Sequence, residues 1–170
     1  MSKESSREPD KEPSREPGKQ PDKKPGRESP SGARRGTGPH GGEPIVLAEA
    51  LASFDALWSP RVVTRVNDYD VRLAKVEGEH LWHVHEDTDE FFLVLGGELR
   101  IGLREPAGER TVRLPRGSVF TVPRGTEHKP AAPSGATLLL FEPTGTSSVG
   151  DRHEEVPDHV DATTGHPLAP

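Results

Sequence analysis

The sequence predicts an all-β fold, a barrel or sandwich of short strands carried by only part of the 170-residue chain. Large apolar residues are confined to one window: residues 2–44 hold no Val, Ile, Leu, Phe, Trp or Tyr, and apolar positions then recur from Ile45 to Phe141. Inside that window, short runs rich in β-branched and aromatic residues follow one another. Between the runs sit turn signals: Asn67-Asp68, Gly96-Gly97, Pro106-Ala107-Gly108, Pro115-Arg116-Gly117, Pro123-Arg124-Gly125 and Pro133-Ser134-Gly135. Many short strands regularly separated by Pro/Gly turns are the pattern of a sandwich or barrel.

Taken in order, residues 1–43 form the first segment, a charged tail. Prolines fall at positions 9, 13, 17, 21 and 25, and each removes a backbone donor and clashes with the preceding turn of a helix. With no large apolar side chain to bury, the segment cannot offset its ordering entropy and is expected to be disordered. Leu47, Leu51, Phe54 and Trp58 then approximate helical spacing up to Pro60, which predicts a short amphipathic helix laid on the strands.

Strand patterns follow over 62–66, 69–77, 81–85, 90–95, 98–103, 111–114, 118–122, 128–132 and 136–141. Gly96-Gly97 between two such runs reads as a hairpin turn. Phe91 to Leu95 is apolar on both faces, so its outward side needs cover from the helix, a second sheet or a partner subunit. The chain is expected to divide into the tail 1–43, one domain over 44–146, and a flexible polar tail over 147–170. His153, His159 and His166 in that last segment share no spacing and are read as exposed.

Charge and composition narrow the function classes. Residues 1–43 carry ten Lys/Arg against eight Asp/Glu, whereas the whole chain has a net charge of −6, so the folded part is acidic. An acidic domain argues against nucleic acid as partner, because phosphate binding needs a basic face. There is no cysteine, so a metal would have to be held by nitrogen and oxygen. No apolar leader or membrane-length stretch stands out, and a cytoplasmic protein without a membrane partner is expected.

The chemistry concentrates in Gly78–Gly97. His83 and His85 are two apart and leave one face of a strand. Glu90 follows a polar connection, Glu86 to Asp89, long enough to reverse the chain and return the carboxylate beside the imidazoles in a hairpin. Two imidazoles and a carboxylate suit a divalent first-row metal. Downstream, Gly117-Ser118-Val119-Phe120-Thr121-Val122-Pro123-Arg124-Gly125-Thr126-Glu127-His128 reads as a strand, a tight turn and a returning strand that brings in His128. His80 is out of phase with His83 and is read as a neighbour of the ligands or a surface residue. Glu127 should point outward. Trp82, Phe92 and Phe120 are candidate pocket walls, and Arg100, Arg116 and Arg124 candidate anion contacts.

These two stretches resemble the paired motifs of the cupins. Gly78, His83-Val84-His85, Glu90 and Gly97 match the first motif, with the gap from Gly78 to His83 one residue short. Gly117, Pro123-Arg124-Gly125 and His128 match the second, with Ala132 where the family closes on Asn. No ligand position is affected. The resemblance covers about residues 60–142 and looks most like small single-domain cupins of the mannose-6-phosphate-isomerase-like type. It implies a jelly-roll β-barrel in which His83, His85, Glu90 and His128 hold one divalent ion (Fe, Mn, Zn or Ni), a small-molecule ligand, and a homodimer. It further implies an isomerase-like or dioxygenase-like enzyme, or alternatively a non-catalytic cupin that binds or senses a small ligand.

Overall fold

The computed structural model describes residues 43–168. The N-terminal segment expected to be disordered lies, apart from Glu43, outside the described residues. The elements are α1 (Leu47–Ala52), β1 (Arg61–Val66), β2 (Tyr69–Glu79), β3 (His83–Val84), β4 (Glu90–Glu105), β5 (Gly108–Pro115), β6 (Val119–Val122), β7 (Glu127–Pro143), β8 (Arg152–His153) and β9 (His166–Pro167). The strands run in the order β5-β4-β7-β2-β1-β9, with β6 added to β4, β3 to β7, and β8 to β3.

The long strands β2, β4 and β7 make this sheet into a jelly-roll barrel by bending midway. Register shifts fall between Val76 and Gly78 of β2 and between Val94 and Arg100 of β4. Gly96-Gly97 is therefore not the expected hairpin turn. It is a bulge inside one strand, and the buried residues of β4 change phase across it, from Phe92 and Val94 to Leu99, Ile101 and Leu103. The inserted residue keeps both halves facing the interior as the strand turns the corner. Pro133-Ser134-Gly135 is likewise a bend within β7. It nests against the bulge so closely that a Cβ on Gly97 would stand 2.2 Å from the Gly135 carbonyl oxygen.

The helix is shorter than its apolar spacing predicts. Ser53 ends it, its Oγ donating to the Ala50 carbonyl (2.8 Å). Phe54 and Trp58 reach their neighbours from an irregular segment instead: the Trp58 backbone N–H donates to the Lys75 carbonyl (2.9 Å) and its Nε1–H to the Glu77 carbonyl (2.7 Å). Together α1 and this segment cover Leu73, Leu95 and Leu139 on the outer face of the sheet.

Residues 147–168 overturn the expected flexible tail. Val149 and Val160, 4% and 6% exposed, enter the main core. The backbone of this strap is satisfied by the barrel: Asp151 N–H donates to the Val84 carbonyl (2.8 Å), His166 N–H to that of Pro60 (3.0 Å) and Leu168 N–H to that of Val62 (3.3 Å). A few valines without periodicity plug gaps, and the hydrogen bonds are made to existing strands, so no run of apolar residues was needed to anchor it. His153, His159 and His166 are exposed as expected.

Candidate metal centre

His83 lies on β3 and pairs in register with His128 of β7, their ring centroids 4.2 Å apart. His85 follows on the same face, its carbonyl fixed by the Gly125 N–H (2.7 Å). Gly125, at φ +75°, occupies the left-handed position that the Pro123-Arg124-Gly125 turn demands. Glu90 opens β4. The polar connection does reverse the chain, held by Arg124 N–H on Asp89 Oδ1 (3.0 Å) and Glu86 N–H on Asp151 Oδ2 (2.8 Å). No ladder forms between β3 and β4, however. The expected local hairpin is replaced by convergence across the barrel interior.

All four side chains are buried, and one ligand atom from each lies within 4.8 Å of every other. Glu90 Oε2 stands 2.6 Å from His128 Nε2, 3.3 Å from His85 Nε2 and 3.7 Å from His83 Nε2. Nδ1–H of His83 donates to the Leu81 carbonyl (3.1 Å) and Nδ1–H of His128 to that of Thr126 (2.9 Å). In the neutral rings these bonds leave the Nε2 lone pairs facing inward toward a carboxylate. Lone pairs and a carboxylate oxygen repel unless a proton or a cation lies among them. His83 Nε2 and His85 Nε2 are buried without a hydrogen-bond partner among the described residues. Three imidazole nitrogens and one carboxylate oxygen so arranged fit a divalent first-row cation, whose bonds to such donors run about 2.0–2.2 Å.

Burial and the Glu90 carboxylate act on these imidazoles in opposite senses. Burial holds the His83 imidazole below its usual range and so keeps it neutral. Burial opposes ionisation of Glu90, but His128, His83 and His85 outweigh it and hold the carboxyl well below its usual range. His85 is also opposed by burial, and Glu90 tips it upward.

Of the other sequence candidates, His80 is buried rather than on the surface, its ring 5.0 Å from that of His83, and it falls outside the ligand group. Glu127 points outward and pairs with Arg104 (2.9 Å). Phe92 lines the cavity beside the ligands, whereas Trp82 lies outside it under the Arg104 guanidinium (3.9 Å). Arg100, Arg116 and Arg124 do not line this cavity. Among the lining residues that sequence reasoning missed are Trp58, Arg72, Glu142 and Ser148. Arg72 and Glu142 carry one faint signal, since each is a charged residue in phase with apolar inward positions of its strand.

The cavity has an open volume of about 40 Å³. At about 10–15 Å³ per water, it holds about three waters, so a ligand as large as one ring enters it with only part of its body. Its walls are mainly apolar, with Ala74, Val76, Phe92, Leu138 and Leu140 prominent.

Comparison with known proteins places residues 69–142 in the Cupin domain family. A cupin-2 domain containing protein from Shewanella frigidimarina is 40% identical with a TM-score of 0.55, covering 58% of this chain and 93% of that one. A protein from Neisseria meningitidis is 26% identical with a TM-score of 0.53, covering 59% and 99%. The uncharacterized protein YdbB of Bacillus subtilis is 42% identical over 67 residues, 39% of this chain, and the match spans only 57% of that relative. A hydroquinone 1,2-dioxygenase from Sphingomonas shares the fold at 24% identity and a TM-score of 0.54, covering 59% of this chain and 32% of that one.

Proposed function

Because this chain belongs to the cupin family, we propose that it is a metal-dependent enzyme of the dioxygenase type, acting on a small, mainly apolar organic molecule. His83, His85, Glu90 and His128 hold its single ion. When bound, the ion supplies Lewis acidity or, as iron, manganese or nickel, a redox centre. The barrel excludes bulk water, and Phe92, Leu138 and Leu140 orient an apolar substrate beside the ligands. The reading includes a cytoplasmic setting and a homodimer.

The lining of the cavity carries the choice of reaction class. Among its described residues Arg72 is the one Lys or Arg, and it is already paired with Glu142 (2.7 Å) and Asp70 (3.3 Å). A sugar phosphate would bring a dianion to a site whose cation is flanked by two carboxylates, so the isomerase-like alternative lacks a phosphate contact there.

The test begins with metal analysis of protein purified under metal-replete conditions, followed by reconstitution with Fe(II) under nitrogen. Oxygen uptake is then screened with small phenols, thiols and carboxylic acids, in parallel with isomerisation of sugar phosphates. About one ion per chain and oxygen uptake with a neutral substrate are expected. Less than about 0.1 ion per chain at a pH where His is neutral would sink the metal reading. Isomerisation without oxygen uptake would sink the reaction class, and ligand binding with neither activity would establish the non-catalytic alternative.

A further inference from the structure

Two carboxylates flank one buried guanidinium, and they are equipped differently. Arg72 is fully buried. Its Nη2 donates to Asp70 Oδ2 (3.3 Å) and its Nη1 to the Thr146 carbonyl (3.0 Å), which anchors the start of the strap. Asp70 also accepts from Arg65 Nε (2.8 Å) and Thr144 Oγ1 (2.9 Å). It is saturated and takes no part in lining the cavity. Glu142 does line the cavity, alongside His83 and Glu90. Its Oε2 is ion-paired with Arg72 Nη1 at 2.7 Å, a contact that falls short of hydrogen-bond geometry.

The register brings this under-used carboxylate to the metal centre. Phe91 of β4 pairs with Phe141 of β7, so the next inward position on each strand is Glu90 on one and Glu142 on the other. Directly opposed residues on neighbouring strands stand about 4.5–5.5 Å apart at Cβ, and like charges so placed are destabilising. A buried carboxylate short of hydrogen bonds adds a further cost. An apolar residue at 142 would remove both costs but would also take from the buried Arg72 one of its two carboxylates; that ion pair engages Oε2 and leaves the second oxygen of Glu142 for a ligand.

We propose that Glu142 is a substrate-binding residue whose carboxylate accepts a hydrogen bond from an O–H or N–H group of a small, uncharged, mainly apolar ligand seated between it and the metal centre. The ligand class follows from the walls. Phe92, Leu138 and Leu140 suit an apolar body, Glu142 suits a donor, and an anion would meet Glu142 and Glu90 together. The assignment rests on the metal reading above, and its test separates the two.

Zinc-loaded protein, which is redox-silent, is titrated with phenol, anisole and benzoate at pH 8, above the value of about 7 to which burial and the charge of Glu90 push the Glu142 carboxyl. Phenol is expected to bind at least about tenfold more tightly than anisole or benzoate. Glu142→Gln should keep its zinc and lose about 10–100-fold in phenol affinity, the worth of a hydrogen bond to a charged group, with anisole unaffected. Glu142→Asp retains the charge beside Arg72 but withdraws the carboxylate by one methylene. It should show the same loss in smaller measure, and it carries the test if the Gln variant does not fold. No preference for phenol in the wild-type protein, undiminished phenol binding in both variants, or loss of zinc from both would overturn the assignment. Wild-type protein that takes up no zinc would overturn the metal reading instead. Glu142 would then be judged by whether the metal-free protein prefers phenol to anisole and whether Glu142→Asp abolishes that preference.

Discussion

At the scale of single residues, His80 shows how deep burial beside the ligands becomes a dependence on pH. It is 7% exposed, its ring lies 4.9 Å from that of Trp58, and its Nδ1 has no hydrogen-bond partner among the described residues. Burial pushes its pKa down from 6.5 to about 3. Between those values the unfolded chain holds a proton that the folded chain refuses, so stability rises with pH across this window and is lost on acidification. At pH 5 the contribution is about 2 kcal/mol, from about 1.4 kcal/mol per pH unit below 6.5. For metal-free protein, urea unfolding at pH 7 and pH 5 should therefore show a smaller difference in His80→Leu than in wild type, by about that amount. An equal difference would place the acid sensitivity elsewhere. The four candidate ligands that the fold brings together were legible in the sequence because their residue types recur at motif spacing around turn glycines. Arg72 and Glu142 were not. Each is a single charged residue on a strand, and only the phase of β2 and β7 relative to the barrel interior tells that it points inward.

At the scale of elements, the strands were legible and two of their connections were not. Pro and Gly mark breaks in pattern, but a break can be a reversal or a corner, and local sequence does not distinguish them. At Gly97 the difference is physical. Its φ is +74° and a Cβ would meet the Gly135 carbonyl oxygen at 2.2 Å, whereas at Gly125, φ +75°, nothing lies within 4 Å. Gly125→Ala should cost about 1–2 kcal/mol, the penalty of the left-handed conformation alone. Gly97→Ala should cost clearly more, because two strands must separate as well, and chemical denaturation compares them directly. The strap was misread because its anchors are hydrogen bonds and isolated valines. A Cβ on Gly150 would lie 3.1 Å from His83 Cδ2, so the strap sits directly on the His83 ring. Asp161 ties it down by accepting from Ser59 Oγ (2.5 Å), with His166 Nε2 at 2.6 Å. Asp161→Ala should speed removal of the ion by a chelator several-fold while leaving the metal content at equilibrium unchanged. An unaltered rate would mean that ions leave by another route.

At the scale of the whole molecule, the outer face of the sheet is left partly uncovered by the described residues. Helix α1 and the segment after it shield Leu73, Leu95 and Leu139. Beyond their reach the register aligns Val119 with Leu93 and Phe91 with Phe141, and Tyr69 stacks on Phe141 with centroids 4.9 Å apart. Val119 is 61% exposed and Tyr69 40%. A row of apolar residues running across four strands is more contiguous than the single exposed apolar residues ordinary on a surface. A second copy of the chain offers the same face, which is the self-complementary arrangement of a two-fold dimer. The expected homodimer is therefore proposed to form here. Light scattering across a concentration series should give a dimer mass for wild type. Val119→Lys, which places a charge in the middle of the apolar row, should weaken association by about 100-fold, the cost of burying an unpaired charge. Its metal content should match wild type, because Val119 faces away from the barrel interior. A strictly monomeric wild type at high concentration would remove the dimer, and a dimeric Val119→Lys would move the interface to another face.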